Sequence, residues 1–175
     1  MSQYATAIAA LALVMAAPMP GRTTEAPTSP APDPTAVYIR KLAGLSAASA
    51  RGDIELVDVG HGPMDTMISI VATRTAAGWH ASYACAASPF CRKDQDKNAS
   101  DYDLSAETGL QVDQIVGRLR AGSVAEDQPT SAPTLCGTLA VRLNLGDVVR
   151  VFRRSCQWGQ PLGDLERLLE PPEKP

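Results

Sequence analysis

The sequence predicts one α+β domain. A single antiparallel sheet of about five strands, a meander plus a C-terminal hairpin, carries two or three helices packed on one face. Three observations lead to this fold class. Short segments of alternating apolar residues are separated by turn residues, other segments have apolar residues at helical spacing, and four cysteines can stabilise the domain through disulfides.

The first element of the domain is ambiguous between helix and strand. In segment 36–49, AVYIRKLAGLSAAS, the residues Tyr38, Leu42 and Leu45 have helical spacing. The alternating apolar residues at the start of the segment would also suit a strand. We interpret the segment as a helix whose apolar side contains these three residues.

A three-stranded meander is predicted next. Its strands are DIELVDV at 53–59, TMISIVATRT at 66–75 and WHASYAC at 79–85. A GHGPMD turn joins the first pair, and a short loop in which Gly78 can adopt a positive φ joins the second. The polar segment that follows, 92–103, is predicted to be a loop.

Two later segments have the apolar stripe of an amphipathic helix. The first begins at Ser105, a good N-cap, and ends near Gly122, and its stripe consists of Val112, Ile115, Val116 and Leu119. The second, 161–172, is stopped by two prolines, and its buried side consists of Leu162, Leu165, Leu168 and Leu169.

Between these helices, Cys136 and Cys156 lie almost symmetrically about Gly146 in a pattern of strand, turn and strand. If the two cysteines are cross-strand partners, Val141 lies opposite Val151 and the apolar side chains of the hairpin share one face. A shift of one residue would move every side chain to the other face. The cysteines and the apolar alternation therefore predict the same register.

That register also sets Arg142 opposite Arg150, a like-charge pair that is unfavourable unless an anion or a carboxylate lies nearby. Arg142, Arg150 and Arg154 would then share a face. We predict that these three arginines can bind an anion or an acidic partner, such as an acidic protein or an envelope component. The alternative is that the charges protect an exposed strand from aggregation.

Four cysteines allow three disulfide pairings. The local one joins Cys85 to Cys91 and Cys136 to Cys156, and it is favoured because each pair lies at the ends of a turn or hairpin. The crossed alternative, Cys85 with Cys156 and Cys91 with Cys136, remains open. The spacings do not match the close cysteine pairs of zinc sites, so structural disulfides are expected.

The start of the chain predicts export. An apolar stretch, ATAIAALALVMAA, ends in small residues as signal peptides do, and a region rich in proline, serine and threonine follows it. We expect a mature protein that is periplasmic or secreted and has no transmembrane span. The predicted parts are a signal peptide at 1–17, a disordered tether at 18–35, the domain at 36–170 and a tail at 171–175.

Composition and motifs reduce the number of functional classes that fit the sequence. A net charge of −3 argues against nucleic acid as a partner. Asp58, His61 and Asp65 lie around one turn but match no strong metal motif, so neither a metal nor a cofactor is expected. The nucleophile elbow of serine hydrolases is absent from the sequence.

The sequence therefore favours a binding or interaction module without catalytic activity. One alternative is a small envelope hydrolase with a site around His61 or His80, the two histidines of the chain. The other is a protein that resembles protease inhibitors in presenting a rigid loop, here the one between Cys85 and Cys91, because preorganisation lowers the ordering cost of binding.

Overall fold

The computed structural model describes residues 31–60, 67–86, 91, 98–122, 137–145, 148–155 and 161–172, with the backbone alone at 154 and 155. The predicted signal peptide, most of the predicted tether, His61, Asp65, Cys136 and Cys156 lie outside the described residues. No helix in these ranges is long and apolar enough to cross a membrane.

The fold class is confirmed as α+β, with one antiparallel sheet of six strands rather than five. The strands are β1 (Ile54–Val59), β2 (Met67–Thr75), β3 (Gly78–Ala86), β4 (Ala99–Asp103), β5 (Thr138–Leu145) and β6 (Val148–Ser155). Their order in the sheet is β4-β3-β2-β1-β5-β6, so the predicted meander and hairpin are joined by pairing of β1 with β5.

The additional strand is β4, which lies within the segment predicted to be a polar loop. It pairs with β3, with Tyr102 opposite Ala81. The side chain of Tyr102 is the one member of β4 that packs against the core, whereas Asp101 and Asp103 are exposed. A strand that contributes so little to the core has no apolar alternation by which its sequence can be identified.

Three helices complete the described domain: α1 (Pro34–Leu42), α2 (Ala106–Arg120) and α3 (Leu162–Leu169). The hydroxyl of Ser105 accepts a hydrogen bond from the amide of Thr108, which confirms the predicted N-cap of α2. The side chain of Asp33 caps α1 by accepting from the amides of Thr35 and Ala36. The folded chain therefore includes residues just before the predicted boundary at 36.

The prediction that the helices pack on one face is wrong, because the helices lie on both faces of the sheet and the strands carry buried apolar residues on each face. We call the face covered by α2 and α3 the α2/α3 face, and the other the α1 face. Successive strand residues point to opposite faces, so Leu56 of β1 packs under α2 and α3 while Val57 packs under α1. The predicted stripes of the later helices are confirmed, with these side chains buried: Val112, Ile115, Val116, Leu119, Leu162, Leu165 and Leu169.

The first helix is confirmed for the start of the predicted segment, but it ends at Leu42, so the partly buried Leu45 lies outside it, and the prediction of its buried side is wrong. Ala36 and Ile39 are fully buried under the helix, whereas Tyr38 is 54% exposed and Leu42 is 51% exposed. Arg40, a charged residue, is also fully buried. The apolar spacing predicted the wrong side because this helix is docked partly through a polar contact.

The predicted register of the last hairpin is wrong by one residue. Val141 lies opposite Phe152 rather than Val151, and Leu145 lies opposite Val148, which leaves two residues for the connection. Two-residue connections are the commonest in hairpins. This register also buries Phe152, the largest apolar side chain of β6, in the core. The strand has apolar residues on both faces, so alternation fits either register.

The Cys85–Cys91 disulfide is present, with 5.6 Å between the two Cα atoms. It confirms this half of the local pairing and excludes the crossed pairing of Cys85 with Cys156. The other predicted bridge lies outside the described residues.

Candidate functional site

The corrected register separates the arginines of the predicted anion site. Arg142 lies on the α1 face of β5, where its Nε atom is 3.8 Å from Oε2 of the buried Glu55. Its Nη1 atom also donates to the carbonyl oxygen of Ala31 at 2.6 Å. Arg142 is therefore the counter-charge of a buried glutamate within the domain.

Arg150 lies on the α2/α3 face of β6. Its Nη1 atom donates to the carbonyl oxygens of Leu119 and Arg120, at 2.8 and 2.7 Å, and its guanidinium lies over the ring of Phe152. A cation at the end of a helix satisfies carbonyl groups that have no partner in the helix and complements the helix dipole. Arg150 therefore caps the C-terminal end of α2.

Arg154 lies opposite Leu139 in the backbone ladder, and its side chain is outside the described part of the structure. The prediction that all three arginines share a face is wrong, because Arg142 and Arg150 lie on opposite faces and each binds a group of the domain itself. The one-residue error in register is the cause.

Of the two histidines, His80 lies within the described residues. Its Nδ1 atom is 2.9 Å from Oδ1 of Asp103, directly opposite on β4, and both side chains are exposed. No hydroxyl or thiol of the described residues is hydrogen-bonded to His80. Among the described residues, a histidine and an acid therefore meet without the nucleophile that a hydrolase of this type needs.

The buried face of α3 carries an acidic group that the sequence analysis missed. Glu166 is 7% exposed and lies on the side of α3 that contacts the sheet. Asp58, on the α2/α3 face of β1, is 4% exposed, and its Oδ1 atom is buried without a hydrogen-bond partner in the described structure. Two carboxyl groups are thus buried between one helix and one strand.

Burial and neighbouring negative charges raise the pKa values of this pair. Burial, followed by the charges of Asp58 and Glu170, raises the pKa of Glu166 to about 8. Burial, followed by the charge of Glu170, raises the pKa of Asp58 to about 6. Both carboxyl groups are therefore easier to protonate in the folded protein than in the unfolded chain, and Glu166 more so than Asp58. Carboxyl groups with such raised pKa values are uncommon outside functional sites.

A buried cation lies on the other face of the sheet. Arg40 of α1 donates to the hydroxyl of Ser49 at 2.9 Å, and to the carbonyl and hydroxyl oxygens of both Ser69 on β2 and Ser82 on β3. Burial lowers the pKa of Arg40, and the carboxylate of Asp101 partly offsets this effect. Because its donors all bind groups of the domain, Arg40 anchors α1 to the sheet.

Two open grooves border α2. The α2–α3 groove has a volume of about 550 Å³, and its lining residues are Gln111, Gln114, Ile115, Arg118, Asp164, Arg167 and Leu168. Ile115 and Leu168 form an apolar floor, since both pack in the core, and the other residues form a polar wall. Arg167 is paired with Asp164. Such a volume and mixed lining suit a binding site.

The second groove lies on the other side of α2, where Arg74, Trp79 and Asp113 meet. Arg74 donates to both carboxylate oxygens of Asp113, and the indole nitrogen of Trp79 donates to Oδ1 of the same residue at 2.9 Å. The backbone amide of Arg74 also donates to Asp53. These contacts hold α2 against the β2–β3 hairpin.

Within the described ranges, no group of three or more histidine, cysteine or acidic side chains is placed to hold a metal ion. Comparison with protein-family models, curated proteins and solved structures found no match.

The sequence signals for these sites were weak. The sequence places Asp58 around one turn with His61 and Asp65, yet the charged groups described near it are Glu166 of α3 and Glu170 just after that helix. Glu166 lies between Leu165 and Leu169 on a short helix. The leucines are sufficient to predict the buried side of that helix, so the sequence gives no separate reason to single out Glu166. The serines inside otherwise apolar strands, Ser69 and Ser82, were the available sign that a buried donor such as Arg40 would be needed.

Proposed function

We propose that this protein is an exported interaction module without catalytic activity, which binds an acidic segment of an envelope protein in the α2–α3 groove. The observation that carries the proposal is the groove itself, an open site with an apolar floor and two arginines on its wall. The Cys85–Cys91 disulfide supports an oxidising compartment such as the periplasm or the extracellular space.

The charged residues of the α2–α3 groove indicate which class of partner the groove binds. Arg118 and Arg167 supply two positive charges to the groove, while Asp164 supplies one negative charge that already pairs with Arg167. A carboxylate of the partner can form forked hydrogen bonds to a guanidinium, and an apolar side chain of the partner can cover Ile115 and Leu168. The sequence analysis expected an acidic partner at the last hairpin. We now propose that this partner binds in the α2–α3 groove.

We prefer binding over hydrolysis because, among the described residues, no nucleophile is hydrogen-bonded to His80. In the described structure, the histidine contacts one exposed acid on the neighbouring strand, whereas a hydrolase needs a histidine that meets both an acid and a nucleophile.

The proposal can be tested with two ten-residue peptides that alternate leucine with glutamate or with lysine. Titration of the glutamate peptide into ¹⁵N-labelled domain should shift the amide signals of Gln111, Gln114 and Leu168, while the lysine peptide should not. Replacing both groove arginines, Arg118→Ser with Arg167→Ser, should abolish the shifts. Arg120→Ser, on the same helix but outside the groove, is the matched control and should bind normally.

The proposal fails if both peptides shift the same signals equally, or if the double variant binds the glutamate peptide as well as the Arg120→Ser control does.

A further inference from the structure

Buried apolar contacts and one hydrogen bond hold α3 on the sheet. Leu162, Leu165 and Leu169 are almost fully buried against the core, and the hydroxyl of Tyr102 on β4 donates to the carbonyl oxygen of Leu169. Glu166 lies on the same buried side, between the second and third leucine. The helix has eight residues, so its position depends on these contacts rather than on its own helical stability.

The strand below supplies a second acid instead of a counter-charge. Asp58 lies on the face of β1 that α3 covers, and its neighbours in the cross-strand row are Ile68 on β2 and Leu139 on β5, both apolar. One of its carboxylate oxygens is fully buried and has no hydrogen-bond partner in the described structure. A buried charge without a partner is costly.

Arg154 of β6 lies in the same cross-strand row as Asp58, two strands away, and its side chain is outside the described part of the structure. The other described charges near α3 do not neutralise this pair. Glu170, just after the helix, adds a third negative charge. On the wall of the α2–α3 groove, Arg118 of α2 and Arg167 of α3 lie with Asp164, away from the buried side of the helix. The groups acting on Glu166 are therefore both acidic, so a proton is what allows the two carboxyl groups to be buried together.

We propose that α3 is a proton-dependent latch, which lies on the sheet while the Asp58–Glu166 pair holds a proton and is released when both carboxyl groups are ionised. In the released state both carboxylates are hydrated and the leucines of α3 leave the core. Because α3 forms one side of the α2–α3 groove, release of α3 would also remove that binding site. This last consequence rests on the proposed function, whereas the latch does not.

The latch can be tested without any partner, by hydrogen exchange measured on the whole domain at pH 6 and pH 9 with intrinsic exchange rates corrected for pH. The protection of 162–169 should fall on the order of a hundredfold at the higher pH, because below about pH 8 the docked helix holds a proton that the released helix has lost. The protection of α2 should stay well above that of 162–169 at both pH values, because α3 opens without unfolding of the rest of the domain.

Glu166→Gln removes the ionisation while retaining size and hydrogen-bonding capacity. In this variant the protection of 162–169 should change by less than threefold between the two pH values. Asp164→Asn, an acid of the same helix outside the buried pair, is the matched control and should retain the full fall.

Three results would overturn the latch. They are equal protection of wild-type α3 at both pH values, an undiminished fall in Glu166→Gln, and protection of α3 equal to that of α2 at both pH values, which would indicate that α3 opens only when the whole domain unfolds. If Glu166→Gln does not fold, ¹³C NMR of the wild-type carboxyl groups decides. Titration of Glu166 near pH 8 supports the latch, and titration near pH 4.5 contradicts it.

Discussion

The indole nitrogen of Trp79 donates a hydrogen bond to the carboxylate of Asp113 across the interface between β3 and α2, at 2.9 Å. Since Asp113 also accepts two hydrogen bonds from Arg74, one carboxylate joins α2 to two strands. Asp113→Ala should therefore leave a buried indole donor without its partner, and should lower the free energy of unfolding by about 1 kcal/mol.

Urea unfolding of Asp113→Ala measures this loss. Fluorescence in a Trp158→Phe background reports on Trp79 alone, and its emission should shift to longer wavelength as the indole becomes hydrated. Gln114→Ala, one residue further along α2 and facing the α2–α3 groove, should change neither quantity. An unchanged emission spectrum in Asp113→Ala would mean that the contact does not hold the indole in place.

The guanidinium of Arg40 should be required for docking of α1. Arg40→Met keeps the length of the side chain but removes every hydrogen bond to Ser49, Ser69 and Ser82. Buried hydroxyl groups would lose a charged donor, so the free energy of unfolding should fall by about 2 kcal/mol.

Lys41→Met is the matched control for this experiment, because Lys41 is the exposed neighbour of Arg40 on the same helix. It should be neutral in urea unfolding. Equal stability of the two variants would show that the apolar contacts of Ala36 and Ile39 dock α1 without the guanidinium.

The disulfide should contribute measurably to stability. Replacing Cys85 and Cys91 together by alanine removes the restraint on a short loop of the unfolded chain, which the chain-entropy model values at about 2 kcal/mol. Thermal unfolding of this variant with the other two cysteines intact should show a lower midpoint. Wild-type stability in the variant would mean that strain in the folded loop cancels the entropic gain.

The stability of the whole domain should decrease as the pH rises from 5 to 9. Glu166 has a higher pKa in the folded protein than in the unfolded one, so its stabilising contribution is complete below pH 4.5 and is lost as the pH passes through about 8. Asp58 loses its smaller contribution between about pH 4 and 6. The expected decrease from Glu166 is roughly 4 kcal/mol.

Urea unfolding at a series of pH values measures this decrease, and Glu166→Gln should remove most of it. Glu107→Gln, which changes an exposed glutamate of α2, should retain it. A wild-type stability that rises from pH 5 to 9 would contradict the raised pKa values of the buried pair.

Much of the fold could be predicted from periodicity, because apolar spacing is strong where an element has one buried face. The stripe from Val112 to Leu119 identified α2, and the leucines identified α3. Prediction failed where polar groups carry the packing, as with Arg40 in α1, and where both faces of a strand are apolar, as in β6. In β6 the observed register buries the large ring of Phe152. A pattern of apolar residues takes no account of side-chain size.

The candidate sites were harder to predict for a related reason. Arg142 and Arg150 are conspicuous in the sequence, but the structure pairs them with Glu55 and with the end of α2. The acids Asp58 and Glu166 are 108 residues apart and meet only because α3 packs over β1. Contacts between such distant residues depend on tertiary packing, which local spacing does not report.

Site-specific photo-crosslinking in envelope fractions tests the proposed groove most directly. A photoreactive amino acid would replace Gln114 in the groove or, as the matched control, Gly117, which lies on the same helix outside the groove with open space around it. We predict one crosslinked partner, with an acidic segment at the crosslink, from position 114 alone, lost when Arg118 and Arg167 are replaced by serine. Equal crosslinking from both positions, or crosslinking that persists without the two arginines, would contradict the account.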